Sequence, residues 1–378
     1  METANLGSGI GKLGFGLMRL PMIGNKVDIE QSKVMVDHFM EKGFTYFDTA
    51  FGYLEGQSEK AAKEILVSRY PRESFQLVTK LPIWMVDEPA GMQKVFDTQR
   101  ERTGVEYFDF YLLHSLSSEK LDKLDKFGAW DFMKELKAKG LAKHIGFSFH
   151  DTAKLLDRLL TEHPEMEFVQ LQINYADWDN SIVQSRECYE VARKHGKSVT
   201  IMEPVKGGSL AALPEEIEAI FKKADPAASI PSWAIRFAAS LDGVITVLSG
   251  MSSIEQMDDN LSYMTDFKPL TEEERTVIGS VVEELKKVPS VPCTSCRYCM
   301  EECPQGIVIP LIFSAFNNYN LLHNFALTKR NYDWETRDGG TANKCIQCGA
   351  CEAICPQHIK VIDKLKEASA VFDVSMNP

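Results

Sequence analysis

The chain has 378 residues, with 42 Lys plus Arg against 54 Asp plus Glu, a formal net charge of -12, and 44% hydrophobic residues. This acidic balance leaves no broad basic face for a phosphate backbone, so nucleic acid is not an expected partner. The first residues lack the zones of a secretory signal and no run reaches the ~18 apolar residues of a spanning helix, so a soluble, cytoplasmic protein with no membrane partner is expected.

From residue 12 to 250, short β-rich runs recur in chain order: KLGFGL, FTYFDTA, FQLVTKL, FDFYLLH, KHIGFSF, FVQLQIN, SVTIMEP and GVITVLS. Stretches such as EQSKVMVDHFMEKG, SEKAAKEILVSRY, WDFMKELKAKG, DTAKLLDRLLTEH and PSWAIRFAAS put apolar residues at i, i+3 and i+4, which predicts amphipathic helices between the strands. KVDIEQSK before the first helix and EKG after it supply a start and a stop. Strand and helix alternating eight times predict an α/β fold, a closed parallel (β/α)8 TIM barrel. Asp48, Lys80, His114, Ser148, Gln170 and Glu203 stand at the C-terminal ends of these runs, where such a barrel builds its active site. Each alone is equally well an ordinary cap or loop residue. The glycines of GSGIGKLG precede the first strand instead of following it, so they read as a lead-in and not as a dinucleotide fingerprint. Cys188, within the helical pattern SIVQSRECYEVARKHG, reads as a buried structural thiol.

EELKKVPSVPC combines a charge run with two prolines. That composition marks a boundary between separately folding units, and divides the chain into a barrel over 1–288 and a second domain over 289–378. The second domain holds the other eight cysteines in two copies of C-x2-C-x2-C-x3-C-P: Cys293, Cys296, Cys299, Cys303, and Cys345, Cys348, Cys351, Cys355. Three thiolates at this spacing converge on one cluster, while the fourth, before proline, is turned toward a second one. The repeat predicts two [4Fe-4S] clusters, one held by Cys293, Cys296, Cys299 and Cys355, the other by Cys345, Cys348, Cys351 and Cys303. Structural zinc is the alternative, although zinc sites pair two C-x2-C knuckles and have no use for a third cysteine and a proline in each group. The segment between the two groups, IPLIFSAFNNYNLLHNFALTKRNYDWETRDGG, reads as helix, so the domain is expected to be mainly helical and ferredoxin-like.

Asp48 and Tyr53 in YFDTAFGYLEGQSEK, Lys80 in LVTKL and His114 in YLLHS match in order and spacing the Asp, Tyr, Lys, His tetrad of the aldo-keto reductase superfamily. The sequence resembles that family over roughly residues 8 to 265, and with its cysteine domain it resembles the members fused to a ferredoxin-type tail. The resemblance implies NADP or NAD as cofactor. Ser148 in GFSFH and Gln170 in VQLQINY would hold the nicotinamide carboxamide, with Phe149 where the family usually has Asn. Met202 stands where many members stack an aromatic ring. Gly16, Met18 and Arg19 fall on the loop that contacts nicotinamide and substrate. Ser249, Gly250 and Met251 would lie at the phosphates, with Gln256 and Asn260 on the following helix. That stretch has no Lys or Arg for the extra phosphate of NADPH, so the preference between the two dinucleotides stays open.

The tetrad also makes sense chemically. Hydride addition to a carbonyl leaves an alkoxide that needs a proton, and a phenol delivers one if its pKa of ~10 is lowered. Lys80 beside Tyr53 is expected to lower it, Asp48 to hold Lys80, and His114 to orient the carbonyl oxygen. The simpler readings are a structural Asp48–Lys80 ion pair and a core histidine. The expected function is therefore an NAD(P)H-dependent oxidoreductase that reduces an aldehyde or ketone, or oxidises the alcohol. The alternative is an iron-sulfur electron-transfer protein whose barrel is a docking module. Hydride carries two electrons and a cluster takes one at a time, so the clusters serve an electron-transfer protein partner, brace the barrel, or sense redox state.

Overall fold

The computed structural model describes residues 6–181, 183–291, 293, 298–355 and 359–373. They form two compact units, Met1–Gly207 with Pro231–Arg275, and Gly208–Ile230 with Thr276–Pro378.

In the first unit, among the described residues, eight parallel strands close into a barrel: β1 Leu13–Gly16, β2 Tyr46–Asp48, β3 Gln76–Leu81, β4 Phe108–Leu116, β5 Ala142–Phe149, β6 Phe168–Gln172, β7 Ser198–Met202 and β8 Val244–Ser249. Each falls within, or overlaps, one of the eight β-rich runs. The runs are mostly apolar without a strict in–out alternation because a parallel barrel buries both faces of each strand. Tyr46, Val78, Phe110, Leu112, Phe168, Ile245 and Leu248 pack together as a core of strand residues, the layered filling typical of this fold. Register then sets the mouth. Gly16 pairs with Asp48 and Phe15 with Ser249, and Ser148 pairs with Gln170 and Gln172 with Met202. The polar strand ends thus come level around one rim.

The first helix, Ile29–Glu41, starts where predicted, with the Asp28 side chain accepting from the Gln31 amide at 3.1 Å, and the chain turns out of it through left-handed Gly43 (φ 82°). Helices Ala129–Ala138, Ala153–Glu162 and Ile230–Ala239 also coincide with predicted ones. The helix expected over SEKAAKEILVSRY is α-helical only over Gln57–Ala62 and continues as a π-helical stretch, Lys63–Val67. Ile65 and Leu66 on this stretch are both buried.

The second unit is mainly helical, as expected. Helices Ile309–Leu322, Phe325–Thr336 and Val361–Phe372 share a core that includes Ile312, Phe313, Tyr332, Leu365 and Phe372. Tyr332 stacks on Phe372 at 4.6 Å and its hydroxyl takes the Ala342 amide at 2.9 Å. Gly340 pairs with Ile307 in a short parallel bridge. A Cβ there would lie 2.6 Å from the Gln305 carbonyl, so only glycine permits this approach. Among the described residues no helix is long and apolar enough to cross a membrane.

Candidate active site

The tetrad residues come from three successive strands and one loop. Asp48 ends β2, Lys80 lies on β3, His114 lies on β4, and Tyr53 sits on the turn after β2, where its amide donates to the Ala50 carbonyl at 3.1 Å. The Lys80 ammonium is fully buried. It donates to Asp48 Oδ1 at 2.7 Å, to the Thr49 carbonyl at 2.9 Å and to the Tyr53 hydroxyl at 3.3 Å. The Tyr53 and His114 rings meet edge to face with centroids 5.9 Å apart. His114 is aimed by an irregularity: the β4–β5 register shifts between Leu113 and Leu116, and Ser115 adopts φ 55°. Its amide donates to Ser148 Oγ at 2.6 Å. Bulges of this kind commonly re-aim a side chain beside an active site.

Burial and charge set the protonation states. Burial pulls Lys80 down, but its interactions with Asp48 and the Tyr53 oxygen together leave the ammonium above its ordinary pKa. Burial raises the Asp48 carboxyl against the pull of Lys80. His114 is driven well below the usual histidine range by burial, with Lys80, His150 and Lys120 adding to the effect, so the imidazole is neutral at pH 7. The Tyr53 phenol departs from expectation. Lys80 pulls it down, but burial is the larger influence, Asp48 and Glu203 also push up, and the net direction is upward. Tyr53 is therefore held as a protonated phenol, and Lys80 moderates a rise instead of producing a fall.

At the ends of β5 and β6, Ser148 and Gln170 are buried side by side. Gln170 Nε2 donates to Met202 Sδ at 3.6 Å, while its Oε1 is buried without a partner among the described residues. Phe149 packs on Phe147 at 6.2 Å. Gly16 lies against the Ser249 carbonyl, and the Arg19 side chain crosses Gly250, where a Cβ would stand 3.0 Å from Arg19 Cδ. Met18 is exposed and Met251 buried. Ser253 caps helix Ile254–Met264, and Gln256 Oε1 accepts from the Ser252 amide at 2.8 Å. Asn260 is brought to Ser249, donating to its Oγ at 2.7 Å, and accepts from the Tyr263 hydroxyl at 2.5 Å. Glu203 follows β7 in a left-handed conformation (φ 57°), and its carbonyl accepts from Asn174 at 3.3 Å. Cys188 is buried, its thiol pushed up to about 12 by burial, as suits a structural thiol.

Two features of the mouth have only faint sequence signals. Trp84 lies 5.0 Å from the His114 ring and is 43% exposed; the clue is a large aromatic just past the strand that carries Lys80. The buried Asp177 takes Lys206 Nζ at 2.6 Å and Asn174 Nδ2 at 3.0 Å, tying the loop after β7 to the loop after β6. Nothing in local spacing announces that pair.

In the second unit Cys303, Cys345, Cys348 and Cys351 line a single cavity whose other walls include Ile307, Ile309, Ile346, Ile362 and Leu365. Left-handed Gln347 and Gly349 wrap the C-x2-C turn around it. The Ile307 amide donates to Cys303 Sγ at 3.4 Å. Cys293, Cys299 and Cys355 belong to the same apolar core or pack against it, and Cys296 lies outside the described residues. Among the described residues no three His, Cys, Asp or Glu side chains stand at the spacing of a single bound ion.

The closed parallel barrel carries a buried Asp48–Lys80–Tyr53 cluster at the C-terminal ends of its strands, and the comparisons with known proteins give the family. The model of the Aldo/keto reductase family matches residues 12–283, and that of a 4Fe-4S dicluster domain matches residues 292–359. This chain belongs to the aldo/keto reductase family, with a 4Fe-4S dicluster domain following the barrel. It is 28% identical over 275 residues to an aldo-keto reductase of Mycolicibacterium vanbaalenii, covering 70% of this chain and 89% of the relative. It is 26% identical over 278 residues to a 9,11-endoperoxide prostaglandin H2 reductase of Trypanosoma cruzi, covering 71% and 89%. The holo form of an aldo-keto reductase from Bacillus halodurans superposes with TM-score 0.60 at 24% identity, over 72% of this chain and 92% of that one. An aldo-keto reductase from Klebsiella pneumoniae in complex with NADPH gives 0.58 at 19% identity, over 72% and 91%.

Proposed function

We propose that the chain reduces an aldehyde or ketone with NADPH or NADH, or runs the reverse oxidation, using Tyr53 as general acid. The observation that carries this reading is the buried Lys80 ammonium bridging Asp48 and the Tyr53 hydroxyl. The bound dinucleotide supplies the hydride. Tyr53 gives its proton to the developing alkoxide, and Lys80 stabilises the phenolate left behind. His114, neutral, donates an N–H to the carbonyl oxygen and orients it as charge grows. Ser148 and Gln170 would hold the nicotinamide carboxamide, and the partnerless Gln170 Oε1 is suited to accept its N–H. Gly16, Met18, Arg19, Met202, Ser249, Gly250, Met251, Gln256 and Asn260 are proposed to line the rest of the dinucleotide path. Oxidation of dihydronicotinamide at 340 nm against a panel of carbonyls tests the reading, and a folded, fully loaded protein that oxidises no dinucleotide with any of them would overturn it.

Two [4Fe-4S] clusters are proposed on the eight paired cysteines. The cavity shared by Cys303 with Cys345, Cys348 and Cys351 supports the ligand exchange between repeats expected of a two-cluster ferredoxin. Anaerobically purified protein should be brown and hold about eight irons per chain, with matching acid-labile sulfide. Stoichiometric zinc without sulfide would contradict it.

We also propose that dinucleotide binding belongs to residues 1–288 alone. No residue assigned to the cofactor lies in Gly208–Ile230 or beyond Thr276, the segments that group with the cysteine domain. A chain ending at Val288 is expected to bind NADPH or NADH with the affinity of the full chain by fluorescence titration. A folded truncated chain with no dinucleotide binding would show that the two parts form one site.

A further inference from the structure

The turn that carries Tyr53 is held in a conformation its residues disfavour. Leu54 (φ 50°), Glu55 (φ 57°) and Gly56 (φ 82°) are left-handed in succession, and runs of L-residues in that region persist only where the surroundings over-determine them. What over-determines this one comes from a helix distant in sequence, Ala90–Thr103. Arg102 Nη1 donates to the Phe51 carbonyl at 3.0 Å and to Glu59 Oε2 at 3.1 Å. Its guanidinium lies over the Phe51 ring at 4.3 Å and against Gly56, where a Cβ would stand 3.0 Å from Nη1. Glu59 is fully buried. Its Oε1 accepts from Thr79 Oγ1 at 2.7 Å and from Gln99 Nε2 at 3.1 Å, and Gln99 also donates to the Lys80 carbonyl at 2.9 Å. One connected set of bonds therefore runs from the Tyr53 turn, through Arg102 and Glu59, to the backbone of Lys80.

We infer that Arg102 is a positioning residue: by clamping the turn to Glu59 it sets the distance between the Tyr53 hydroxyl and the Lys80 ammonium. The inference rests on the proposed role of Tyr53 as the acid. Arg102 touches neither a substrate nor the reacting atoms. It acts through a planar guanidinium whose Nη1 serves both the Phe51 carbonyl and the Glu59 carboxylate while its face covers the Phe51 ring, a combination that a lysine ammonium reproduces only in part.

The test compares the parent with Arg102→Lys, Arg102→Met and the double variant Arg102→Met, Glu59→Gln, all in the full chain with its clusters. The double variant removes the buried charge that Arg102→Met would strand, and so protects the fold. The expected result is a kcat for carbonyl reduction ~10- to 100-fold lower in both methionine variants, the scale of a small misplacement of a reacting group. KM should stay within about twofold, and Arg102→Lys should recover part of the loss. A second readout needs no turnover. The ionisation of Tyr53, taken as the difference in phenolate absorbance between each protein and its Tyr53→Phe counterpart, should move to higher pH when Arg102 is lost, because the phenol drifts from Lys80. Parental kcat in a folded double variant, or a fall in kcat with an unmoved Tyr53 titration, would overturn the inference. If the parent itself reduces no carbonyl, the proposed function fails, and the phenol titration still decides whether Arg102 positions Tyr53.

Discussion

Tyr53→Phe is expected to slow carbonyl reduction by ~100-fold or more, the scale lost when a positioned proton donor is removed, while dinucleotide affinity measured by fluorescence titration stays at the parental value. The hydroxyl is the atom within reach of Lys80 Nζ at 3.3 Å, and the ring remains to pack against His114, so the substitution deletes the proton and little else. The raised pKa of Tyr53 and the lowered pKa of His114 fix the sign of the pH profile. Tyr53 keeps its proton until pH exceeds its ordinary value of ~10, and His114 stays neutral down to below its ordinary value of ~6.5. With respect to these two groups the reduction rate should be level between those limits and fall only on the alkaline side. A Tyr53→Phe protein with the parental rate, or a parental rate that collapses between pH 7 and 9, would remove Tyr53 from the role of acid.

Lys80→Met is expected to abolish measurable reduction and also to destabilise the barrel by ~3–5 kcal/mol at pH 7, because it leaves the Asp48 carboxylate buried without its partner. The two consequences separate by pH. Without Lys80 the Asp48 pKa in the folded state rises further above its unfolded value. A group raised in this way contributes its stability below the unfolded pKa and loses it as pH rises through the folded one. The deficit relative to the parent should therefore shrink as the solution is made acidic, seen as converging urea midpoints. Adding Asp48→Asn to Lys80→Met should restore much of the stability at pH 7 and none of the activity. Equal destabilisation at all pH values would mean that lost packing, and not a stranded charge, causes the deficit.

How far the sequence discloses this molecule depends on whether a feature is local. FQLVTKL and FDFYLLH read as barrel strands because both faces of each are buried, and Lys80 and His114 stand out because a polar group at the end of such a run has no place in the core. The cysteine spacing is equally local, since three thiols two residues apart must converge. The bulge that aims His114 depends on β5 pairing with β4 across a shift, which no pattern within YLLHS encodes. The left-handed run at Leu54 and Glu55 is similarly hidden, because neither residue type favours that region and Arg102 imposes it from another helix. The net direction of the Tyr53 shift is hidden for the same reason: the downward pull of a lysine neighbour is visible in a motif, whereas the depth of burial that outweighs it is a property of the closed barrel. Asn260 was legible as a polar residue on the right helix, but not that Ser249 and Tyr263 would occupy both ends of its amide.

The cavity lined by Cys303 together with Cys345, Cys348 and Cys351 makes the two cysteine repeats interdependent. With the two clusters proposed above, each repeat would lend its last thiol to the other, so neither would be a separable module, and a polypeptide holding only its first repeat would have an incomplete ligand set. Closure of the long intervening segment, with Gly340 seated on Ile307, must precede a complete ligand set around this cavity. On that proposal, metal incorporation would be tied to the moment when the whole C-terminal unit folds, and when iron is scarce the population should divide into filled and empty molecules, with few half-filled ones.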